Sequence, residues 1–232
     1  MDDPAAPPHP AGHRIVFVTG KGGVGKSMVA AASALQLARQ GLVVQLVELG
    51  SHSFFGPLLG LEVGVEPVPW KDGVAIARWD VESSLREYLA HDLVFKVAAD
   101  KVLSSTAMQA LVAAAPGVAE MALLGKLTAP MRHRWYTREA DVVVVDGYAT
   151  GQFMAMLRAP VGLAATAAEG ALHRHAQTTA RLLADPALAR YATWDQLAAR
   201  LVDAQAGALA NRVRRLAGQV GTRPDWHEAV LA

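Results

Sequence analysis

Residues 20–27 read Gly-Lys-Gly-Gly-Val-Gly-Lys-Ser, and their types and spacing specify chemistry more directly than any other stretch of the chain. A glycine, four spacers and then Gly-Lys-Ser is the template of a phosphate-binding loop. Gly20, Gly22, Gly23 and Gly25 open backbone conformations closed to other residues. Successive N–H groups, that of Val24 among them, can then face one anion. A helix expected to begin near Lys26 adds the positive end of its dipole. Lys26 is spaced to reach the β- and γ-phosphates of a nucleotide, and Ser27 to ligate Mg²⁺. Lys21 is an extra cation directly after the first glycine. Such a loop needs a second carboxylate to hold the metal through water, usually at the end of a neighbouring strand. Asp146, which follows Val142-Val143-Val144-Val145, is the candidate. The plainer readings are a glycine-rich turn for the loop and a turn-capping aspartate for Asp146.

These side chains need strands that end side by side. Residues 14–19 are apolar and β-branched, and residues 28–40 form an alanine-rich helical stretch closed by Gly41. A near-continuous apolar run over 42–47, ending at Glu48 or Leu49, completes a βαβ pattern and predicts a parallel sheet. Residues 50–69 read as loop with a short helical turn, and 74–79 as a third strand. Asp80 fits a helix N-cap, with Glu82 in the first turn of a helix reaching about residue 91. From 92 to about 134 the pattern is mostly helical, broken near 104–106 and 115–117, so about 81–135 is expected to be a small helical insertion. Residues 141–146 are the clearest central strand. Residues 147–152 are expected to be a flexible loop in which Gly151 could offer its N–H to a γ-phosphate, the plain alternative being an ordinary strand-to-helix connection. Helical patterns return at 152–158 and 171–183. Beyond Asp185-Pro186 the pattern weakens: 194–216 fits one long helix, or a helix followed by a short strand at 208–210. The fold class is therefore α/β, a mostly parallel sheet with helices on both faces and a helical insertion.

Composition narrows the partners. Lys plus Arg number 22 against 21 Asp plus Glu, a formal net charge of +1. That balance makes no electrostatic case for nucleic acid or an anionic membrane. Arg132, His133, Arg134 and Arg138 cluster around Trp135 and Tyr136, which on so short a run reads as a solvated helix end. The absence of cysteine excludes disulfides, thiolate zinc sites and thiol-based arsenical binding. Residues 1–13 are rich in Pro and Ala and lack the pattern of a secretory signal, so a disordered tail is expected. No stretch has the length and apolarity of a membrane span, and the expected compartment is the cytoplasm. Met108, Met121, Met131, Met154 and Met156 are scattered rather than striped, which favours core packing over an adaptable client groove. His173 and His175 stand two apart on one helix and so make no metal pair.

Lys21 with Gly22 and Gly23 resembles the deviant Walker A loop of the MinD/ParA and arsenite-pump branch of P-loop ATPases. Residues 17–27 look most like the arsenite-pump and tail-anchored-protein-targeting ATPases. Asp146-Gly147-Tyr148-Ala149-Thr150-Gly151-Gln152 is similar to that group's switch II, Asp-Thr-Ala-Pro-Thr-Gly-His. Ala115-Pro116-Gly117, Glu120 and Leu123-Leu124-Gly125-Lys126-Leu127 resemble the helical segment before it. The likeness covers about residues 14–185. It implies an ATP/ADP- and Mg²⁺-binding dimer, either a homodimer or a heterodimer with a paralogous ATPase, serving an unknown protein client. Lys21 would reach the partner's phosphates, an arginine-finger role beside the catalytic pair Lys26 and Asp146. Asn211, in Ala210-Asn211-Arg212-Val213, resembles the strand-end asparagine that reads adenine; a mid-helix surface asparagine is the other reading.

The chain also departs from that pattern. The group's switch I runs Asp-Pro-Ala-His, its aspartate positioning the attacking water, whereas this chain has Glu48-Leu49-Gly50-Ser51-His52. Aligning on His52 puts Leu49 at the aspartate, aligning on the strand puts Gly50 there, and neither polarises water. Glu48 is a neighbouring substitute of unknown reach, and His52 reads as a loop histidine. Within switch II, Ala149 and Gln152 replace proline and histidine. No further strand or Pro-containing adenine loop is discernible after Pro186. Three hypotheses follow. The first is a slow Mg²⁺-dependent ATPase of the arsenite-pump/tail-anchor-targeting type. The second is a non-hydrolysing ATP-binding subunit that regulates a catalytic paralogue. The third is a MinD/ParA-like positioning ATPase, which the near-neutral charge and the short acidic terminus count against.

Overall fold

Alternation along the strands sorts the apolar residues into two layers. Val16, Val18, Val44, Leu46, Val74, Ile76, Val142 and Val144 face one side of a sheet, and Ile15, Phe17, Val47, Ala77, Val143 and Val145 face the other. Strands buried on both faces need helices on both, which is the mark of a parallel α/β sheet. The computed structural model describes residues 14–88, 117–132, 140–167 and 169–191. The expected tail at 1–13, most of the expected insertion, the basic cluster beyond residue 132, Met108, and Asn211 with the two readings of 194–216 lie outside the described residues.

In chain order the elements are β1 (Arg14–Gly20), α1 (Lys26–Arg39), β2 (Val44–Leu49), α2 (Phe55–Leu59), β3 (Val68–Lys71) and β4 (Val74–Trp79). There follow α3 (Val81–Tyr88), α4 (Val118–Arg132), β5 (Val142–Ala149), α5 (Thr150–Thr166), α6 (Ala171–Ala184) and β6 (Ala189–Tyr191). The sheet order is β3-β4-β2-β5-β1-β6. All neighbours pair in parallel except β3, which is antiparallel to β4. β5 lies between β1 and β2, so the chain leaving β1 crosses over β5 to reach β2. In open α/β sheets ligands bind at such a crossing, beyond the carboxyl ends of the strands.

On one face α1 buries Val29, Ala30 and Ala34 against the sheet, joined by Phe55 of α2. Alanines allow α1 to sit close, which brings the loop before it over the end of β5. On the other face α4, α5 and α6 contribute Leu123, Leu124, Leu127, Phe153, Met156, Leu182 and Leu183. The Phe17 and Phe153 rings lie 5.2 Å apart and seat the start of α5 under β1. Each fully buried aromatic or aliphatic side chain of this kind contributes about 1.5–3 kcal/mol. α4 comes from the segment read as an insertion, yet it packs directly on the sheet. Met121, Met131 and Met156 are core residues.

Several boundaries differ from expectation. β3 lies partly inside the segment read as loop, and it turns into β4 through Asp72 (φ 52°) and Gly73 (φ 82°), the positive-φ pair of a type I′ hairpin. A further strand does follow Pro186: β6 pairs with β1, after a turn in which the Asp185 carboxylate accepts the Ala187 N–H at 2.8 Å. Residues 147–149, read as flexible loop, continue β5, and α5 begins at once with Thr150. The cause is a long-range pairing. Gly20 pairs with Ala149, and the Thr19 hydroxyl donates to the Tyr148 carbonyl at 2.9 Å across a local irregularity in the ladder.

Candidate nucleotide and metal site

The loop from Gly20 to Ser27 joins β1 to the first turn of α1. Gly23 has φ 76° and Gly25, the N-cap of α1, has φ 88°, conformations that other residues adopt only under strain. No side chain caps α1, and its first turn carries no acidic residue. The N–H groups at this end are therefore not met by a cap, which is the arrangement that receives an anion. A Cβ built at Gly22, Gly23 or Gly25 would meet no atom within 4 Å, so the loop borders open space. Lys26 Nζ makes one long contact, 3.4 Å to the Lys21 carbonyl, and Lys21 is exposed. Among the described residues no salt bridge engages either cation, and the carboxylate that Lys26 acts on is Asp146.

Asp146 stands beside the first turn of α1. Its register partners are Val18 on β1 and Glu48 on β2, so it stands between the two strand ends that flank the loop. Ser27 hydrogen-bonds its carboxyl, while Oδ1 is buried without a hydrogen-bond partner. Burial raises its pKa from 3.8 to about 6, with the Ser27 hydrogen bond and Lys26 opposing and the Glu48 charge adding to the rise. A buried oxygen lacking a partner, next to a hydroxyl and an ammonium, fits a divalent cation in the neighbourhood of a phosphate. Ser27 and Asp146 are the residues that could hold Mg²⁺.

The loop after β2 is different. Glu48 is 3% exposed. Its Oε1 accepts the N–H groups of Phe54 at 2.6 Å and Phe55 at 3.0 Å, and its Oε2 accepts the Ser53 hydroxyl. The carboxylate entertained as a substitute for a water-positioning aspartate is thus engaged at the N-terminus of α2. Gly50 has φ 139°, and His52 is on the surface, its Nδ1 2.9 Å from the Ser51 hydroxyl. Arg78 on β4 donates to the carbonyls of Gly50 at 3.2 Å and Ser51 at 3.1 Å, and to Asp80 at 3.1 Å. Asp80 is the expected N-cap of α3, accepting the Ser83 N–H at 2.7 Å. Partial burial works against its charge, but Ser83 and Arg78 outweigh it and keep its pKa below the ordinary value.

Gly151 lies in the exposed first turn of α5, two residues past the partner of Gly20, and a Cβ there would meet no atom within 4 Å. Gly147 is needed for contact: a Cβ would sit 3.1 Å from the Val18 carbonyl. Tyr148 is half-buried, and its pKa is raised by burial and then by Glu120 and Asp80. Lys126 of α4 is buried, paired with Glu87 of α3 and 4.7 Å above the Trp79 ring. The structure thus brings Asp146 to the loop Gly20–Ser27, with Gly151 two residues beyond the ladder partner of Gly20. Sequence reasoning missed Arg78 and the engagement of Glu48; an arginine and an acid at adjoining strand ends were the available signal.

Residues 13–183 match the family model described as anion-transporting ATPase. A second model, the SWIM-associated four-helix bundle domain, matches residues 179–232, of which 189–191 form a sheet strand. The ATPase BagA of Mycobacterium tuberculosis is 30% identical over 185 residues, covering 75% of this chain and 53% of that protein. The arsenical pump-driving ATPase of Acidiphilium multivorum is 30% identical over 149 residues, covering 62% of this chain and 25% of the relative. The arsenical pump-driving ATPase of Escherichia coli is 28% identical over 149 residues, with the same coverages. The chain spans about half the length of the mycobacterial relatives it matches. No helix among the described residues is long and apolar enough to cross a membrane.

Proposed function

The chain belongs to the anion-transporting ATPase family, and from that premise we propose that it is a Mg²⁺-dependent, nucleotide-switched dimeric ATPase of slow turnover. The observation that carries this reading is the pairing of Ser27 with Asp146, whose other oxygen is buried and unpartnered, beside an uncapped glycine loop. The backbone of residues 20–27 cradles the phosphates and Lys26 neutralises the β- and γ-oxygens. Ser27 and Asp146 hold Mg²⁺, which when bound would offset charge developing on the transferred phosphoryl group. Gly151 offers its N–H to the γ-phosphate, and Asn211 reads adenine. Exposed Lys21 reaches the phosphates held by a second subunit, identical or paralogous, so that ATP binding and dimerisation favour one another. Residues 14–232 constitute this ATPase domain, and the helical segment of about 81–135 includes α4, which packs on the sheet.

Slow turnover follows from the loop after β2. A water attacking the γ-phosphate needs a group to orient it. Leu49 and Gly50 have none, and Glu48 already accepts three donors. The same observation favours a second reading, a non-hydrolysing subunit that partners a catalytic paralogue. The test is steady-state phosphate release by wild type and Lys26→Ala, alone and with any co-purifying paralogue, together with nucleotide uptake by calorimetry. Lys26-dependent release supports the ATPase. Uptake without Lys26-dependent release leaves the binding subunit, and no uptake by folded protein sinks both.

A further inference from the structure

The loop between β2 and α2 is tied from two sides, and no residue of the glycine loop takes part. On one side stands Glu48 at the end of β2, which receives Phe54 N–H, Phe55 N–H and the Ser53 hydroxyl. Ser53 Oγ in turn accepts the Gly56 N–H at 2.8 Å. On the other side Arg78, from β4, grips the carbonyls of Gly50 and Ser51 and is itself braced by Asp80. The Gly50 N–H donates to the Trp79 carbonyl at 3.0 Å. Moving the loop would strand a buried carboxylate without its donors, which is strongly unfavourable.

We propose that this loop is a fixed wall of the site rather than a moving switch, and that Glu48 is the positioning residue that fixes it, with Arg78 as the second tie. The loop's geometry is then the same with and without nucleotide. This inference rests on the nucleotide-binding reading for its comparison of states; the clamp itself can be tested in nucleotide-free protein.

The experiment is hydrogen exchange over residues 50–56 of the full chain, nucleotide-free, with Mg²⁺-ADP and with Mg²⁺-ATP. Calorimetry on the same samples records nucleotide uptake. In wild type the amides of Phe54, Phe55 and Gly56 should exchange slowly, at rates within about threefold across the three conditions. Glu48→Ala should accelerate them by at least about tenfold without nucleotide. Glu48→Gln keeps an acceptor for Phe54 and Phe55 and loses that for Ser53, so it should fall between the two. If Glu48→Ala does not fold, Glu48→Gln against wild type carries the comparison. A change beyond about tenfold between nucleotide states, in wild type that takes up nucleotide, overturns the fixed wall. Unaltered exchange in the Glu48 variants overturns the role of Glu48. Absence of uptake by folded wild type sinks the ATPase reading instead, and the nucleotide-free Glu48 arms then decide this inference alone.

Discussion

The loops after β1 and β2 start from equivalent places and end in opposite conditions. Each follows a parallel strand, each leads into a helix, and each flanks Asp146, whose register partners are Val18 and Glu48. The first leaves the N-terminus of α1 without a cap and its lysines almost unengaged. The second fills the N-terminus of α2 with the Glu48 carboxylate and its carbonyls with Arg78. A helix start whose donors are met from within the fold is architecture; one whose donors are left open has binding capacity to spare. The asymmetry favours the α1 side of Asp146 for the proposed anion.

Removing the cation of the open loop should have the largest effect. Lys26→Ala is expected to weaken Mg²⁺-ATP and Mg²⁺-ADP uptake at least ~100-fold, near 3 kcal/mol, while the melting temperature of nucleotide-free protein stays put. Calorimetry and thermal melts check the two halves. Equal affinity in wild type and variant would break the contrast between the loops.

Asp146 sharpens it through pH. Its folded pKa is raised above 3.8 to about 6, so the fold prefers the protonated carboxyl. The associated stability is present below about pH 4 and lost as pH rises through 6. Nucleotide-free wild type should therefore lose up to about 3 kcal/mol between pH 4 and 8 relative to Asp146→Asn, whose stability lacks this dependence. Mg²⁺-nucleotide should reverse the ranking at pH 7.5, because a cation needs the charged form. Parallel denaturation profiles for the two proteins would remove Asp146 from the metal role.

The glycines give a smaller effect. Gly25→Ala forces a side chain into φ 88° with no steric neighbour, a pure backbone penalty of about 1–2 kcal/mol. Gly22→Ala, free of both problems, should change stability by less than about 0.5 kcal/mol. Chemical denaturation of the two variants separates conformational need from mere smallness. Similar costs would mean that the loop is not held in the geometry described.

What was legible in the chain was local. The glycine loop and Asp146 announce themselves within eight residues, and β1 and β5 through unbroken apolar runs. What was hidden depends on partners far along the chain. Gly147-Tyr148-Ala149 reads as loop until Thr19 and Gly20 pair with it. Three residues of β6 hold too little pattern to stand out, and their position beside β1 is set by the turn at Asp185. Arg78 finds its carbonyl acceptors 27 and 28 positions earlier, and Lys126 its partner 39 positions earlier. Glu48 reads as a neighbouring substitute for the water-positioning aspartate, and only the path of residues 50–55 shows where its carboxylate is used. The Asp72-Gly73 turn was the exception, a local signal present in the sequence and passed over.

The smallest expected effect on turnover is also the sharpest comparison. An aspartate at position 49 restores a carboxylate at one of the two alignments of the missing water-positioning residue. Strand alternation argues that it will not serve. Val44 and Leu46 face the α1 side, Glu48 continues that series, and Leu49 follows Val47 onto the opposite face, packed against the cluster containing Phe17 and Phe153. Asp146 likewise continues Val142 and Val144 on the α1 side. A carboxylate at 49 would thus point away from the loop proposed to hold phosphate, and the clamp by Glu48 and Arg78 would keep it there. Leu49→Asp should leave phosphate release within about twofold of wild type while costing about 1–3 kcal/mol of stability for the half-buried charge. A tenfold rise in release would mean that the backbone after β2 rotates to present residue 49, and the loop described as architecture would have to be counted as a switch.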